Sequence, residues 1–166
     1  MDPRKFLKTL FEIAVARAQP EECVPQYLSK LDFTERILVF GAGKASAAMA
    51  KVVERYTSAT LKGLVITRYG HAVECQQIKI VEAGHPVPDK HGVRAAASIL
   101  KTASGLTEKD SVLCLISGGG SSLLSLPAPG LSLEDKKGIT SKLLKCGATI
   151  HEINCCLLYT SDAADE

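Results

Sequence analysis

Short apolar runs alternate with longer helical patterns along this chain, and this alternation limits the possible folds more than any other feature. Buried strands give continuous apolar runs, whereas packed helices repeat their apolar residues every three or four positions. The runs predict strands at residues 36–40, 63–67, 78–81 and 112–116. The repeats predict a first helix that ends before Pro20, then helices at 44–56 and 91–103, and a last one between Ser132 and Gly147. Alternating strands and helices favour an α/β domain with a largely parallel sheet.

Local signals refine two parts of this pattern. About ten residues separate the second and third predicted strands, which is short for a helical crossover, so these strands either pair as a hairpin or sit apart in the sheet. The last helix begins at Ser132, and Asp135 three positions later predicts a capping box. Gly147 is placed where a helix would stop.

Composition excludes several classes of protein. The 166 residues suffice for one domain with a core, and 46% hydrophobic with 23% charged residues argue against disorder. A net charge of +2 is too small to predict nucleic acid as a partner, and no apolar run is long enough to predict a membrane span. The six cysteines show neither a C-x-x-C pair nor zinc-finger spacing. Free thiols, with Cys114 and Cys146 packed as small hydrophobes, therefore predict a cytoplasmic protein.

A glycine-rich loop follows the predicted strand at 112–116. Glycine lets a ligand approach the backbone closely, and several amides pointing one way suit a phosphate or a carboxylate. The alternative without a ligand is a flexible turn. The G-x-S-x-G motif of serine hydrolases is missing, which disfavours that chemistry. The loop consists of Ser117, Gly118, Gly119, Gly120, Ser121 and Ser122.

A second glycine loop follows the first predicted strand and includes Gly41, Gly43, Lys44 and Ser46. It is a weak dinucleotide fingerprint, because Ser46 replaces the third glycine and no acidic residue ends the next strand. The Walker A pattern fails as well. What remains is a helix start that favours anions, with Lys44 in its first turn. A cation there opposes the helix dipole, which favours a functional lysine over a solvated one.

The third loop at the same predicted edge is a proline-stiffened turn at residues 84–89. It carries His85, and Asp89 either orients this histidine or caps the following helix, with capping favoured. The other three histidines are predicted to be surface or packing residues: His71, His91 and His151.

Five segments together resemble the N-terminal, DUF4147-type domain of the MOFRL-associated glycerate 2-kinases, from the first helix to about Asn154. They are VFGAGKAS (39–46), GLVITRYGH (63–71), EAGHPVPD (82–89), ISGGGSSLL (116–124) and LLKCGATIHEIN (143–154). The resemblance implies a Rossmann-like three-layer domain, here incomplete. It also implies transfer of the γ-phosphoryl group of ATP to the 2-hydroxyl of D-glycerate, giving 2-phosphoglycerate, usually with Mg²⁺. Some relatives are labelled hydroxypyruvate reductases, so an NAD(P)H-dependent reductase is the alternative.

The resemblance also implies roles for individual residues. Lys44 matches the family's active-site lysine, and the loop at 117–122 matches the loop expected to hold phosphate. Gly41, Gly43, Ser46 and His85 lie in matching motifs and are expected to contribute to phosphate or substrate binding, while no residue is assigned to metal. A further alternative is an anion-binding module without catalysis.

The end of the chain departs from the family pattern. Residues 1–154 are expected to be the N-terminal domain, and residues 155–166 to be a non-family tail, resembling translated adaptor or vector sequence. The second domain of the family is expected to be absent. The chain alone is therefore expected to be inactive, and uncovered apolar faces make a homo-oligomer an open possibility.

Overall fold

The computed structural model describes residues 2–31 and 36–159 and contains a sheet of four strands. The strands lie in the order β3-β2-β1-β4, and every neighbouring pair is parallel. The predicted α/β fold with a largely parallel sheet is therefore confirmed. The strand bounds are β1 Arg36–Ala42, β2 Thr60–Arg68, β3 Ile78–Ala83 and β4 Ser111–Ile116.

The predicted helices are all present, and short ones are added between them. The last predicted helix begins with the expected capping box, and Gly147 follows its end with a positive φ of 72°. The helix bounds are α1 Pro3–Arg17, α2 Pro20–Cys23, α3 Pro25–Leu28, α4 Ser46–Tyr56, α5 Lys90–Ala103, α6 Gly120–Leu123, α7 Leu133–Lys145 and α8 Ile150–Tyr159. No helix within the described residues is long and apolar enough to cross a membrane.

Helices cover both faces of the sheet and enclose two apolar clusters. On one face, α4 packs against β1 and β2, with Ala50 and Val53 beside Val39 and Val65. On the other face, α5 packs on β2 and β3, and α6 packs on β1 and β2, through a second cluster that includes Ala95 and Leu123. The alanine-rich sequence of α4 and α5 explains this close packing, because a small side chain brings the helix axis near the sheet. The two layers of helices hold the carboxyl ends of the strands in place.

The expectation for the link between β2 and β3 was wrong, because these strands are parallel neighbours with Gly63 beside Ile78. Residues 69–77 join them without a helix. Two carboxylates hold this connection by accepting backbone N–H groups. Glu82 accepts from Gly70 and Ala72, and Glu54 of α4 accepts from Gln76, Gln77 and Ile78.

The expectation that the strand at 112–116 is buried was also wrong. Leu115 is buried, but Val112 is 45% exposed and Ile116 is 61% exposed. The reason is position, because β4 forms one edge of the described sheet and α5 contacts β2 and β3. Cys114 and Cys146 are exposed rather than packed, and no disulfide joins the six cysteines within the described residues. Helix α1 likewise has the predicted apolar repeat but no buried residue.

Candidate functional site

Three loops from the carboxyl edge of the sheet meet around one cavity of about 410 Å³. They follow β1, β3 and β4 and are the three loops predicted to share this edge of the sheet. Ligands of open parallel sheets bind at this edge. The cavity is lined by Lys44, His85, Pro86, Gly119, Ser121, Ser122, Thr140, Leu144, Ile150, Ile153, Asn154 and Leu157.

The loop after β1 is bonded to the loop after β4. Ala45 N–H donates to Ser117 Oγ over 2.9 Å, and the Ser46 and Ser117 hydroxyls lie 3.1 Å apart. Gly43 has a φ of 144°, and a Cβ there would lie 2.5 Å from the Ser117 carbonyl oxygen, so a side chain is excluded. The hydroxyls of Ser46 and Ser117 are therefore engaged in hydrogen bonds within the protein.

These contacts give four of the predicted site residues a positioning role. Gly41 lies within β1, paired with Val65 and Leu115. Neither it nor Gly43, Ser46 or Ser117 lines the cavity. Helix α4 begins at Ser46, so the prediction that Lys44 lies in its first turn was wrong by two residues. The bonds around Ser117 hold Lys44 in the turn that precedes the helix.

Lys44 extends toward the glycine loop after β4. Its N–H donates to the Gly118 carbonyl over 3.0 Å, and the His71 ring nitrogen Nδ1 lies 3.2 Å from the Lys44 carbonyl oxygen. A Cβ added to Gly118 would lie 3.9 Å from Lys44 Nζ. The ammonium group is therefore held beside a stretch of bare backbone, where it faces the cavity.

The glycine loop combines an unusual backbone with donors for a ligand. Gly119 has a φ of 89°, a region that glycine enters without strain. Ser122 is buried, and its hydroxyl donates to the Gly119 carbonyl over 3.2 Å. Ser121 is exposed, and its hydroxyl has no partner in the described part of the chain. Of the three serines in the glycine loop, Ser121 is therefore the one whose hydroxyl is free to donate to a ligand.

His85 packs directly on this loop. A Cβ at Gly119 would lie 2.5 Å from His85 Nε2, so the ring edge occupies the space that a side chain would need. Burial lowers the pKa of His85, and the nearby cations Lys44 and Arg68 lower it further. The imidazole is accordingly neutral at physiological pH, with one N–H donor and one acceptor nitrogen.

Asp89 caps α5, as the sequence favoured. Its Oδ1 accepts from Gly92 N–H over 3.0 Å, and its Oδ2 accepts from the Tyr69 hydroxyl over 2.6 Å. No bond between Asp89 and His85 exists among the described residues. Asp89 therefore does not orient the His85 ring or raise its basicity.

Sequence reasoning missed the half of the cavity that comes from α7 and α8. Its residues are mostly aliphatic and carry no recognisable chemical motif: Thr140, Leu144, Ile150, Ile153, Asn154 and Leu157. The one available signal was the resemblance of segment 143–154, which covers the end of α7 and the start of α8. This signal pointed to the family without assigning a role to any of these side chains.

The lining suits phosphate better than it suits a metal ion. Lys44, the loop amides and Ser121 are donors of the kind that bind phosphate oxygens. Mg²⁺ prefers carboxylate oxygens, and no Asp or Glu of the described part of the chain lines the cavity. Within residues 2–31 and 36–159, no group of three acidic, histidine or cysteine side chains could hold a metal. These residues therefore do not fit Mg²⁺ on their own.

Comparison with known proteins gives matches along nearly the whole chain. Residues 6–158 match a family model described as a domain of unknown function, DUF4147. The chain is 40% identical over 158 residues to D-glycerate 2-kinase of Thermotoga maritima, covering 92% of this chain and 38% of that protein. It is 47% identical over 152 residues to an Agrobacterium vitis protein that carries the name hydroxypyruvate reductase, covering 91% and 34%.

A solved structure agrees with the sequence matches. The crystal structure of glycerate kinase from Thermotoga maritima aligns with a TM-score of 0.81 at 40% identity, covering 96% of this chain and 39% of that one. The chain thus spans less than two-fifths of the length of these relatives.

Proposed function

Because the chain belongs to DUF4147, the glycerate 2-kinase family, we propose that the full-length protein phosphorylates D-glycerate with ATP. The product is 2-phosphoglycerate. One observation supports the proposal for this chain: Lys44 Nζ lies beside the bare backbone of Gly118, in a cavity that no carboxylate of the described residues lines. A phosphate group would find a cation and several amides there, and none of the described residues that line the cavity carries a negative charge to repel it.

For phosphoryl transfer, the residues on this side of the cavity must position the phosphoryl group and neutralise its charge. Little covalent chemistry falls to the protein, and most of the acceleration comes from holding and stabilising the charged phosphoryl group. We assign the neutralising charge to Lys44 and additional hydrogen bonds to the Gly118–Gly120 amides and the Ser121 hydroxyl. His85, being neutral, bonds a phosphate or substrate oxygen through an N–H without adding charge.

The remaining parts of the machinery are assigned to the rest of the full-length protein. Residues 1–154 supply the phosphate-binding wall, whereas residues that hold Mg²⁺ and accept the substrate proton belong elsewhere. The 166-residue chain alone should therefore show little or no turnover. The lack of a disulfide among the six cysteines of the described residues supports placing the protein in the reducing cytoplasm.

The test is release of ADP by the full-length protein in the presence of D-glycerate and Mg²⁺. Lys44→Ala should reduce kcat/KM by about 100-fold or more, as loss of one charge-stabilising group commonly does. Lys101→Ala is the matched control, because Lys101 is exposed in the last turn of α5, away from the cavity. Unchanged ADP release from Lys44→Ala would contradict the assignment.

The second candidate is an NAD(P)H-dependent hydroxypyruvate reductase, favoured by the name of the Agrobacterium vitis relative. The loop after β1 argues against it. A dinucleotide pyrophosphate needs free amides there, yet the Gly43, Lys44 and Ala45 amides donate to Ile66, Gly118 and Ser117. An absorbance change of NADH or NADPH with hydroxypyruvate in the full-length protein would instead support the reductase.

A further inference from the structure

The two sides of the cavity differ in chemistry. One side presents Lys44, His85 and Ser121, and the other comes from α7 and α8. Aliphatic side chains dominate the α7–α8 side, and two of them are well exposed, Leu144 at 44% and Ile150 at 63%. A ligand that fills the cavity must therefore offer a polar, anionic part and an apolar part.

D-Glycerate does not match this combination. Each of its three carbons carries oxygen, so it has no apolar surface to place against Leu144 or Ile150. The cavity volume of about 410 Å³ also falls in the range of pockets that enclose much larger organic ligands, roughly 300–1,000 Å³. Size and polarity both indicate that glycerate is not the principal occupant.

A nucleotide has both required parts. Its phosphates are anionic, and its base has two flat apolar faces and an edge of donors and acceptors. Asn154 lines the same cavity, and its carboxamide can donate to and accept from such an edge. We propose that the nucleoside part of ATP packs on the aliphatic side chains of α7 and α8, with its phosphates at Lys44 and the glycine loop.

This inference rests on the proposed kinase function and assigns the two substrates to different parts of the protein. The described chain would bind the phosphoryl donor, and the remainder of the full-length protein would bind the acceptor. The aliphatic side chains that contact the base are Leu144, Ile150 and Ile153, all of which precede the expected tail at 155–166. Burial of these groups against the base supplies affinity that the phosphates alone lack.

Calorimetric titration of the 166-residue chain with ADP and with pyrophosphate tests the inference, because the two ligands share a diphosphate and differ in the nucleoside. ADP should bind at least about tenfold more tightly. Leu144→Ala should weaken ADP about three- to tenfold and pyrophosphate less than about twofold. Leu10→Ala on α1 is the matched control, because Leu10 is 48% exposed and outside the cavity, and it should change neither affinity.

Ile150→Ala provides a second variant at an exposed position, where the fold does not depend on the side chain, and should repeat the selective loss. Equal affinities for ADP and pyrophosphate, or equal weakening of both by these variants, would overturn the inference. Absence of binding to either ligand would do so too. The kinase proposal can fail on its own. In that case the full-length protein would release no ADP with D-glycerate, while this chain would still bind ADP more tightly than pyrophosphate.

Discussion

Glu54 holds the β2–β3 connection, and Glu54→Ala should lower the free energy of unfolding by about 2–5 kcal/mol. Its carboxylate accepts three backbone N–H groups, from Gln76 at 2.8 Å, Gln77 at 2.7 Å and Ile78 at 2.8 Å. Ile78 is buried, so its unsatisfied amide would cost roughly 1–3 kcal/mol. The other two amides can turn to water and contribute about 0.5–1 kcal/mol each.

Thermal and urea unfolding followed by circular dichroism measures this loss. The expected drop in melting temperature is roughly 5–20 °C for a domain of this size. Glu74→Ala is the matched control, because Glu74 is an exposed carboxylate in the same connection. If the two variants lose the same stability, the carboxylate of Glu54 does not hold the strands together and the reasoning is refuted.

The same comparison has a defined pH dependence. Burial raises the pKa of Glu54, but the three backbone hydrogen bonds and the Lys51 charge outweigh burial and leave it below its ordinary value of 4.5. Because the pKa is lower in the folded state, the stabilisation is complete above the unfolded pKa and disappears as the pH falls through the folded one. The gap between parent and Glu54→Ala should stay constant from about pH 8 to about pH 5.5 and shrink below about pH 4.5.

Three further substitutions or reactions test other parts of the structure. Gly119→Ala should displace the His85 ring and weaken phosphate binding in calorimetry at least about fivefold, since its Cβ would lie 2.5 Å from Nε2; unaltered binding would contradict this contact. Asp89→Ala should lower the unfolding free energy by about 1–2 kcal/mol through loss of the α5 cap, and a urea midpoint that does not move would disprove it. Cys75, whose pKa burial and Glu54 raise to about 11, should react with iodoacetamide near pH 8 more slowly than exposed Cys114, as peptide mass mapping would reveal.

Local sequence signals predicted the elements of the fold because those signals need no distant partner. An apolar run that ends at Gly41 located β1, one that begins at Gly63 located β2, and the Ser132–Asp135 pair located the start of α7. The parallel link between β2 and β3 was missed because it depends on Glu54, a side chain more than twenty residues earlier on α4. The exposure of β4 was missed because an apolar run does not tell which faces other elements cover.

The sequence likewise predicted one part of the candidate site and missed another. Parallel strands bring their carboxyl ends to one edge, so Lys44, His85 and the glycine loop could be expected together. The bond between Ala45 and Ser117 joins residues 72 positions apart, and no local pattern indicates it. It separates the residues that position the loops from those that face the cavity. The aliphatic side formed by α7 and α8 could not be predicted, because it depends on how these helices pack.

The most direct test of the central claim is ADP release by the full-length protein with D-glycerate, compared between the parent and Lys44→Ala. The account predicts glycerate-dependent ADP release that falls by about 100-fold or more in the variant, with Lys101→Ala unchanged. Glycerate-dependent ADP release that survives Lys44→Ala would contradict it. So would an absence of ADP release accompanied by oxidation of NADH or NADPH with hydroxypyruvate.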